Sequence, residues 1–313
     1  ERIRIEGYFP RLRYKQKFYE SAMLLCENPA DRLRAHARFN EMKPDGAVNV
    51  TLDANAYGDS IQAQLHWGNS GEATYSGRLD ALAHFTPAPL KTTIQIRPSE
   101  LILNDTIWNV HPATVEIDSG KVHVHDFAVN HNERHLHVNG TLSNSPEDTL
   151  RLDLNRINIG YVFDIADLGI NFCGEATGPA YATSLLSDPY MQTDLFVKNL
   201  GINDGIIGDA NLHGEWHNKV QGLLLDAHIR EGEQARTHVN GYVYPIKPTS
   251  SLDLQIDAHQ TNLKFIHYYI NSITPEFSGR ATGDVHLYGK FKALTLDGAV
   301  DADAAFKIDV LNT

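Results

Sequence analysis

Strict alternation of apolar and polar residues governs most of this chain, and a period of two is the spacing that sends successive side chains to opposite faces of a β-strand. Val48, Val50, Leu52, Ala54 and Ala56 share one parity, while Asn49, Thr51, Asp53 and Asn55 take the other. After the turn residues Gly58-Asp59-Ser60 the pattern resumes with Ile61, Ala63, Leu65 and Trp67. Ala113 to Asn155 repeats the device: Val115 and Ile117, then Asp118-Ser119-Gly120, then Val122 and Val124. Phe127 and Val129 follow, then a polar turn, Leu136 and Val138, a Ser-Asn-Ser-Pro loop, and Leu150, Leu152 and Leu154. Each turn is built from residues that tolerate positive φ or bond their own backbone, so the spacing predicts an antiparallel meander. Leu33, Ala35, Ala37 and Phe39 also alternate, which favours strand over helix there.

The chain also repeats itself. Val138-Asn139-Gly140 returns as Val239-Asn240-Gly241, Leu152-Asp153-Leu154 as Leu252-Asp253-Leu254, and the stretch from Asn158 to Gly178 as Asn262 to Gly283, with offsets of 101, 100, 104 and 105 residues. Recurrence at a nearly fixed spacing indicates an array of similar units rather than a single globular pocket. It divides the chain into residues 1–112, a first repeat over 113–237 and a second, incomplete repeat over 238–313, as one continuous elongated module. Helix is expected only at Tyr161 to Leu168 and Leu263 to Ile270, which lack alternation and follow Asn158 and Asn262 as caps. Such helices would cover an open sheet end or plug its apolar face.

One-faced strands in long succession must hide their apolar side in a barrel, a sandwich or a sheet curled along a long axis. Turn signals about every ten residues, without immunoglobulin-type Cys and Trp spacing, favour the curled sheet. The expected fold class is therefore all-β: an elongated antiparallel sheet, curled around an apolar groove, with two short helices.

A net charge of -12 argues against a nucleic-acid partner. The one basic cluster, Arg11, Arg13, Lys15 and Lys17, reads as the solvated face of a strand. No apolar run approaches the ~18 residues of a membrane span. The opening residues alternate like a strand, without a basic or apolar leader region, and so read as a cut from a longer polypeptide. Cys26 and Cys173 belong to no paired motif, and free buried thiols are the plainer expectation than a disulfide between them. His123 with His125, and His135 with His137, have the i, i+2 spacing that shares a strand face, but no carboxylate or Cys completes a ligand set. They are expected on the solvent face, with no metal. No nucleophile elbow, zincin, phosphate-loop or dinucleotide motif is present, Asp301 with Asp303 makes no glycosidase pair, and no enzyme and no cofactor is expected.

Several phrases resemble a known family. Leu103 to Pro112, Val122 to Phe127, His137 to Gly140, Thr193 to Val197, Gly279 to Gly283, Val285 to Gly289 and Val310 to Thr313 are similar to the TamB-like branch of the AsmA-like superfamily of Gram-negative bacteria. The resemblance covers most of the chain from about residue 48 and is densest from residue 101. It implies a taco-like groove in a periplasmic protein anchored in the inner membrane. It further implies outer-membrane biogenesis and protein secretion beside an Omp85-type barrel partner, and phospholipid transport between the two membranes. Partner and membrane contacts would lie in regions outside this segment.

The candidate site is the apolar face itself. Ile94, Ile96, Val115, Ile117, Val122, Val124, Leu136, Val138, Leu152, Leu154, Leu195, Val197, Leu223, Leu225, Leu252, Leu254, Val285 and Leu287 are expected to line a groove for phospholipid acyl chains, each buried methylene gaining about 0.8 kcal/mol. Two other readings stay open: a chaperone that holds outer-membrane proteins by β-augmentation without moving lipid, and a surface adhesin or carbohydrate-binding β-solenoid.

Overall fold

A computed structural model of the chain describes residues 2–14, 17–29, 32–43, 46–69, 75–103, 105–161, 171–203, 205–244, 251–272, 274–290 and 293–307. The fold is all-β, and every pairing among the described residues is antiparallel, as alternation and turn chemistry predict. Packing divides the chain into two units, Glu1–Ser143 and Asn144–Thr313, a boundary that falls inside the segment 113–237 drawn from the repeat.

In the first unit, β1 (Arg4–Tyr14), β2 (Lys17–Glu27), β3 (Leu33–Lys43), β4 (Gly46–Tyr57), β5 (Ser60–Asn69) and β6 (Ser76–Pro87) pair in chain order. Next come β7 (Leu90–Ile96) and β8 (Ser99–Leu103), both paired with β6, then β9 (Thr106–Val110) and β10 (Ala113–Asp118), both paired with β11 (Lys121–His131). β12 (Arg134–Leu142) follows β11. The pairs β7/β8 and β9/β10 behave as long strands broken at Arg97-Pro98 and His111-Pro112, because proline offers no N–H to the ladder. Ser99 bridges the first break. Its hydroxyl accepts the Asp80 N–H at 3.1 Å and donates to the Arg97 carbonyl at 2.8 Å. Beside these breaks Trp108, Val110, Ala113 and Val129 are buried.

The second unit is a simpler meander. β13 (Thr149–Asn158), β14 (Phe172–Thr183), β15 (Tyr190–Ile202), β16 (Gly205–His217), β17 (Gly222–Glu231), β18 (Ala235–Val243), β19 (Leu252–Asn262), β20 (Glu276–Lys290) and β21 (Ala293–Lys307) each pair with the next. Between β19 and β20 lie a 3-10 turn, Lys264–Ile266, and the single-turn helix α1, His267–Ile270. This matches the helix expected over Leu263 to Ile270. The one expected over Tyr161 to Leu168 lies, beyond Tyr161, outside the described residues.

The sequence repeat is also a repeat of local geometry. Arg156 and Gln260 occupy the same left-handed conformation, φ 52° and 53°, at a bulge in β13 and in β19. The N–H of Arg156 donates to Thr177 Oγ1 at 3.0 Å, as that of Gln260 does to Thr282 Oγ1 at 3.0 Å. Asn158 and Asn262 then each accept, at 2.9 Å, the N–H two residues on, the Asx turn that ends the strand. A bulged residue bends its strand and raises the local twist. Gly178, at φ 142° opposite Leu154, suits this site because a Cβ there would lie 2.2 Å from the Asp194 carbonyl.

Candidate functional site: an apolar sheet face

Residues directly opposite across an antiparallel pair share a face, so the register shows which side chains line up. In the first unit one row runs Ile5, Cys26, Ala35, Ala54, Ala63, Ala81, Ile96, Ala113. A parallel row joins Ala83, Ile94, Val115, Val124 and Gly140, while Ile117 faces Val122, Phe127 faces Val138 and Val129 faces Leu136. In the second unit a row runs Leu152, Ala180, Thr193, Gly214, Leu225, Gly241, Leu254, Leu287, Leu296. Leu154 and Val285 lie on the same face, as do Leu195 beside Leu212, Val197 beside Ala210, and Leu223 and Leu252 beside Val243. Every residue expected to line the groove therefore sits on the apolar face of its own unit.

That face is partly covered. Val197, Leu252 and Leu254 are buried, Ile117 is 39% exposed, and the rest are half-buried. In the second unit the covering is local. Ala176, Val197, Ile207, Ala210 and Ile229 form the core, and Phe265 of the 3-10 turn packs against it. The turn approaches so closely that Gly205 is required beneath it, since a Cβ would meet the Phe265 backbone nitrogen at 2.1 Å. In the first unit the face is barest near β1 to β4, where Ile5 is 57%, Leu24 43% and Leu52 39% exposed. The total surface, 19234 Å², exceeds the roughly 16,000 Å² that two separate compact globules of this mass would show.

Sequence reasoning placed no groove residue before Ile94. The signal was nonetheless present, in the alternation of Leu33, Ala35, Ala37 and Phe39 and of Val48 to Ala56. Cys26, in the first row, is a free thiol, half-buried rather than buried as expected.

The opposite face carries the polar groups. His123 bonds Thr141 Oγ1 at 2.9 Å, His125 lies 3.6 Å from Glu116, and His137 lies 3.6 Å from Asp126, all on the solvent side as expected. Other histidines pair with acids across strands: His36 with Asp53 at 2.7 Å, His213 with Asp194 at 2.6 Å and His286 with Asp253 at 2.6 Å. The hydrogen bond that His213 donates to Asp194 raises the pKa of the histidine, and the Lys91 ammonium 2.7 Å from Glu116 lowers that of the carboxyl. Two concavities, of about 310 and 460 Å³, are lined mainly by polar side chains.

No family model, curated protein or solved structure matches the chain.

The three tryptophans form no platform for sugars. Trp108 and Trp216 are buried, and the Trp67 ring lies over Gly77, where a Cβ would meet it at 2.4 Å. The arrangement offers two chemical opportunities: an oily strip for apolar chains on one face, and acid–imidazole pairs on the other.

Proposed function

We propose that the chain is a non-enzymatic segment of a TamB-like periplasmic bridge, part of an inner-membrane-anchored protein, whose apolar sheet face carries phospholipid acyl chains between the inner and outer membranes. The observation that supports this reading is the unbroken row of small and aliphatic residues from Ile5 to Ala113, crossing successive strands, with Ile5 exposed, Ala113 buried and the residues between them half-buried. A methylene laid on such a strip gains up to about 0.8 kcal/mol, and with no polar partner fixing its position the chain slides along the strip. Alanines in the middle of the row leave the room that an acyl chain needs. An Omp85-type barrel is the partner proposed for regions outside this segment; the acidic surface suits neither nucleic acid nor anionic phosphate surfaces.

The test is the lipid content of the purified segment, quantified by mass spectrometry after organic extraction. Wild type is expected to retain phospholipid, and Ala63→Glu and Leu225→Glu to lose most of it while keeping the same β-sheet circular dichroism. Equal phospholipid in wild type and both charged variants would sink the proposal.

A second mode rests on β21. Among the described pairings it bonds only to β20, and Leu296, Val300 and Phe306 on it are 66%, 47% and 61% exposed. An open edge of this length can accept a client strand through its backbone groups. Proline substitutions along β21 should abolish capture of an outer-membrane protein strand and leave acyl-chain content intact if this mode operates.

A further inference from the structure

On the polar face of the second unit three side chains converge that sequence spacing alone does not bring together. Asp226 and His228 are two apart on β17 and share a face, and the β17–β18 register sets His238 directly opposite His228. The two imidazole rings are parallel, 4.4 Å apart with an interplanar angle of 1°. Nε2 of His238 lies 2.6 Å, and Nε2 of His228 3.6 Å, from the same oxygen, Oδ1 of Asp226. The donor atoms of the three residues all fall within 4.8 Å of one another. We propose that Asp226, His228 and His238 form a binding site for a late first-row transition-metal ion of the Zn²⁺ type.

The chemistry of the donors selects the ion. Two imidazole nitrogens and one carboxylate oxygen are the ligand types that zinc takes, and they leave a coordination position for water. With no ion present, each ring can approach the shared carboxylate oxygen only through an Nε2–H. An ion takes the Nε2 lone pair of each ring as its neutral Nδ1–H tautomer, reached from an imidazolium by loss of the Nε2 proton to solvent or from the Nε2–H tautomer by exchange of that proton for one on Nδ1. The charged neighbours on this side are Asp257 of β19, opposite His238, Asp209 of β16, opposite Arg230, and the facing pair Arg230 and Arg236 one row along. Three carboxylates, Asp226, Asp257 and Asp209, against two guanidiniums leave only a weak long-range attraction. Nitrogen ligation must supply the affinity, which disfavours Ca²⁺ and Mg²⁺, both bound by oxygen.

Exposure also fits. Side-chain exposures of 40%, 63% and 42% for Asp226, His228 and His238 let an ion enter without opening the sheet. Other cross-strand pairs, such as His36 with Asp53 and His286 with Asp253, bring one histidine to one acid. Among the described residues no other group of three donors meets the same spacing. A bound ion clips β17 to β18 and stabilises the folded unit by mass action.

The experiment is calorimetric titration of the untagged, chelator-treated chain with ZnCl₂, alongside His228→Asn, His238→Asn and, as control, His36→Asn, whose imidazole pairs with Asp53 in the first unit. One tight equivalent is expected for wild type and for His36→Asn, with affinity at least tenfold weaker in His228→Asn and in His238→Asn. Zn²⁺ should raise the melting temperature of wild type and of His36→Asn, and not that of His238→Asn, whose zinc-free circular dichroism should match wild type. Equal affinity in wild type and His238→Asn, or equal weakening in all three variants, would overturn the proposal.

Discussion

The backbone N–H of Gln260 donates to the hydroxyl of Thr282 at 3.0 Å, across the bulge that bends β19. Arg156 and Thr177 make the equivalent bond at 3.0 Å one repeat earlier. A left-handed, non-glycine residue at a bulge is held by such a partner, because its own N–H has left the ladder. Thr282→Val and Thr177→Val should each destabilise the chain by about 0.5–1.5 kcal/mol, the worth of one hydrogen bond. Urea denaturation is the measurement. A change below the experimental error in both variants would show that the bulges are held by the strands alone.

The contact between the 3-10 turn and β16 gives a second prediction. A methyl group at residue 205 would meet the Phe265 backbone at 2.1 Å, whereas one at Gly68 would find Ser76 Cβ at an ordinary 3.5 Å. Gly205→Ala must lift the turn and Phe265 off the core, and should cost about 1–3 kcal/mol, as overpacking does. Gly68→Ala should change stability far less. The comparison is made by thermal melting of the two variants, and similar losses in both would contradict the proposed seat of the plug.

Much of this was legible in the sequence. Alternation from Val48 to Leu154 carried the strands and their faces, and the recurrence of Asn158 to Gly178 as Asn262 to Gly283 set Asn158 and Asn262 at equivalent points as caps, whereas the bulges and their partners Thr177 and Thr282 left no mark in the alternation. What periodicity could not supply was whatever changes parity without changing composition. Arg11 and Arg13 share a face with Glu20 and Phe18, but Lys17 pairs opposite Tyr14 and belongs to the other side, so the basic cluster is split. Its fourth member, Lys15, lies outside the described residues. The breaks at Pro98 and Pro112 turn two strands into four, and a proline in a strand does not announce whether the strand ends or resumes. The meeting of Asp226, His228 and His238 depends on the length of the turn after Glu231. Attention to adjacent His pairs such as His123 and His125 therefore missed it.

His213 supplies a pH prediction. Its pKa is raised chiefly by the hydrogen bond with Asp194, so the folded value lies above the ordinary 6.5. A raised histidine pKa means that the pair's contribution is fully present below about pH 6.5 and is lost as pH rises through the folded value. Both side chains are well exposed, 40% and 58%, and solvent screening holds the contribution below about 1 kcal/mol. Histidine NMR titration should show the His213 pKa falling toward 6.5 in Asp194→Asn. An unchanged value would assign the shift to another neighbour.

Leu225 and Asp226 are consecutive on β17 and face opposite sides of the sheet, the first in the apolar row and the second in the polar one. A photocrosslinking amino acid placed at each position in turn, in the full-length protein in cells, compares the two faces a single residue apart. Phospholipid adducts at position 225, with few or none at 226, are the predicted result. Adducts absent from both positions, or equally abundant at both, would contradict an acyl-chain path along the apolar face.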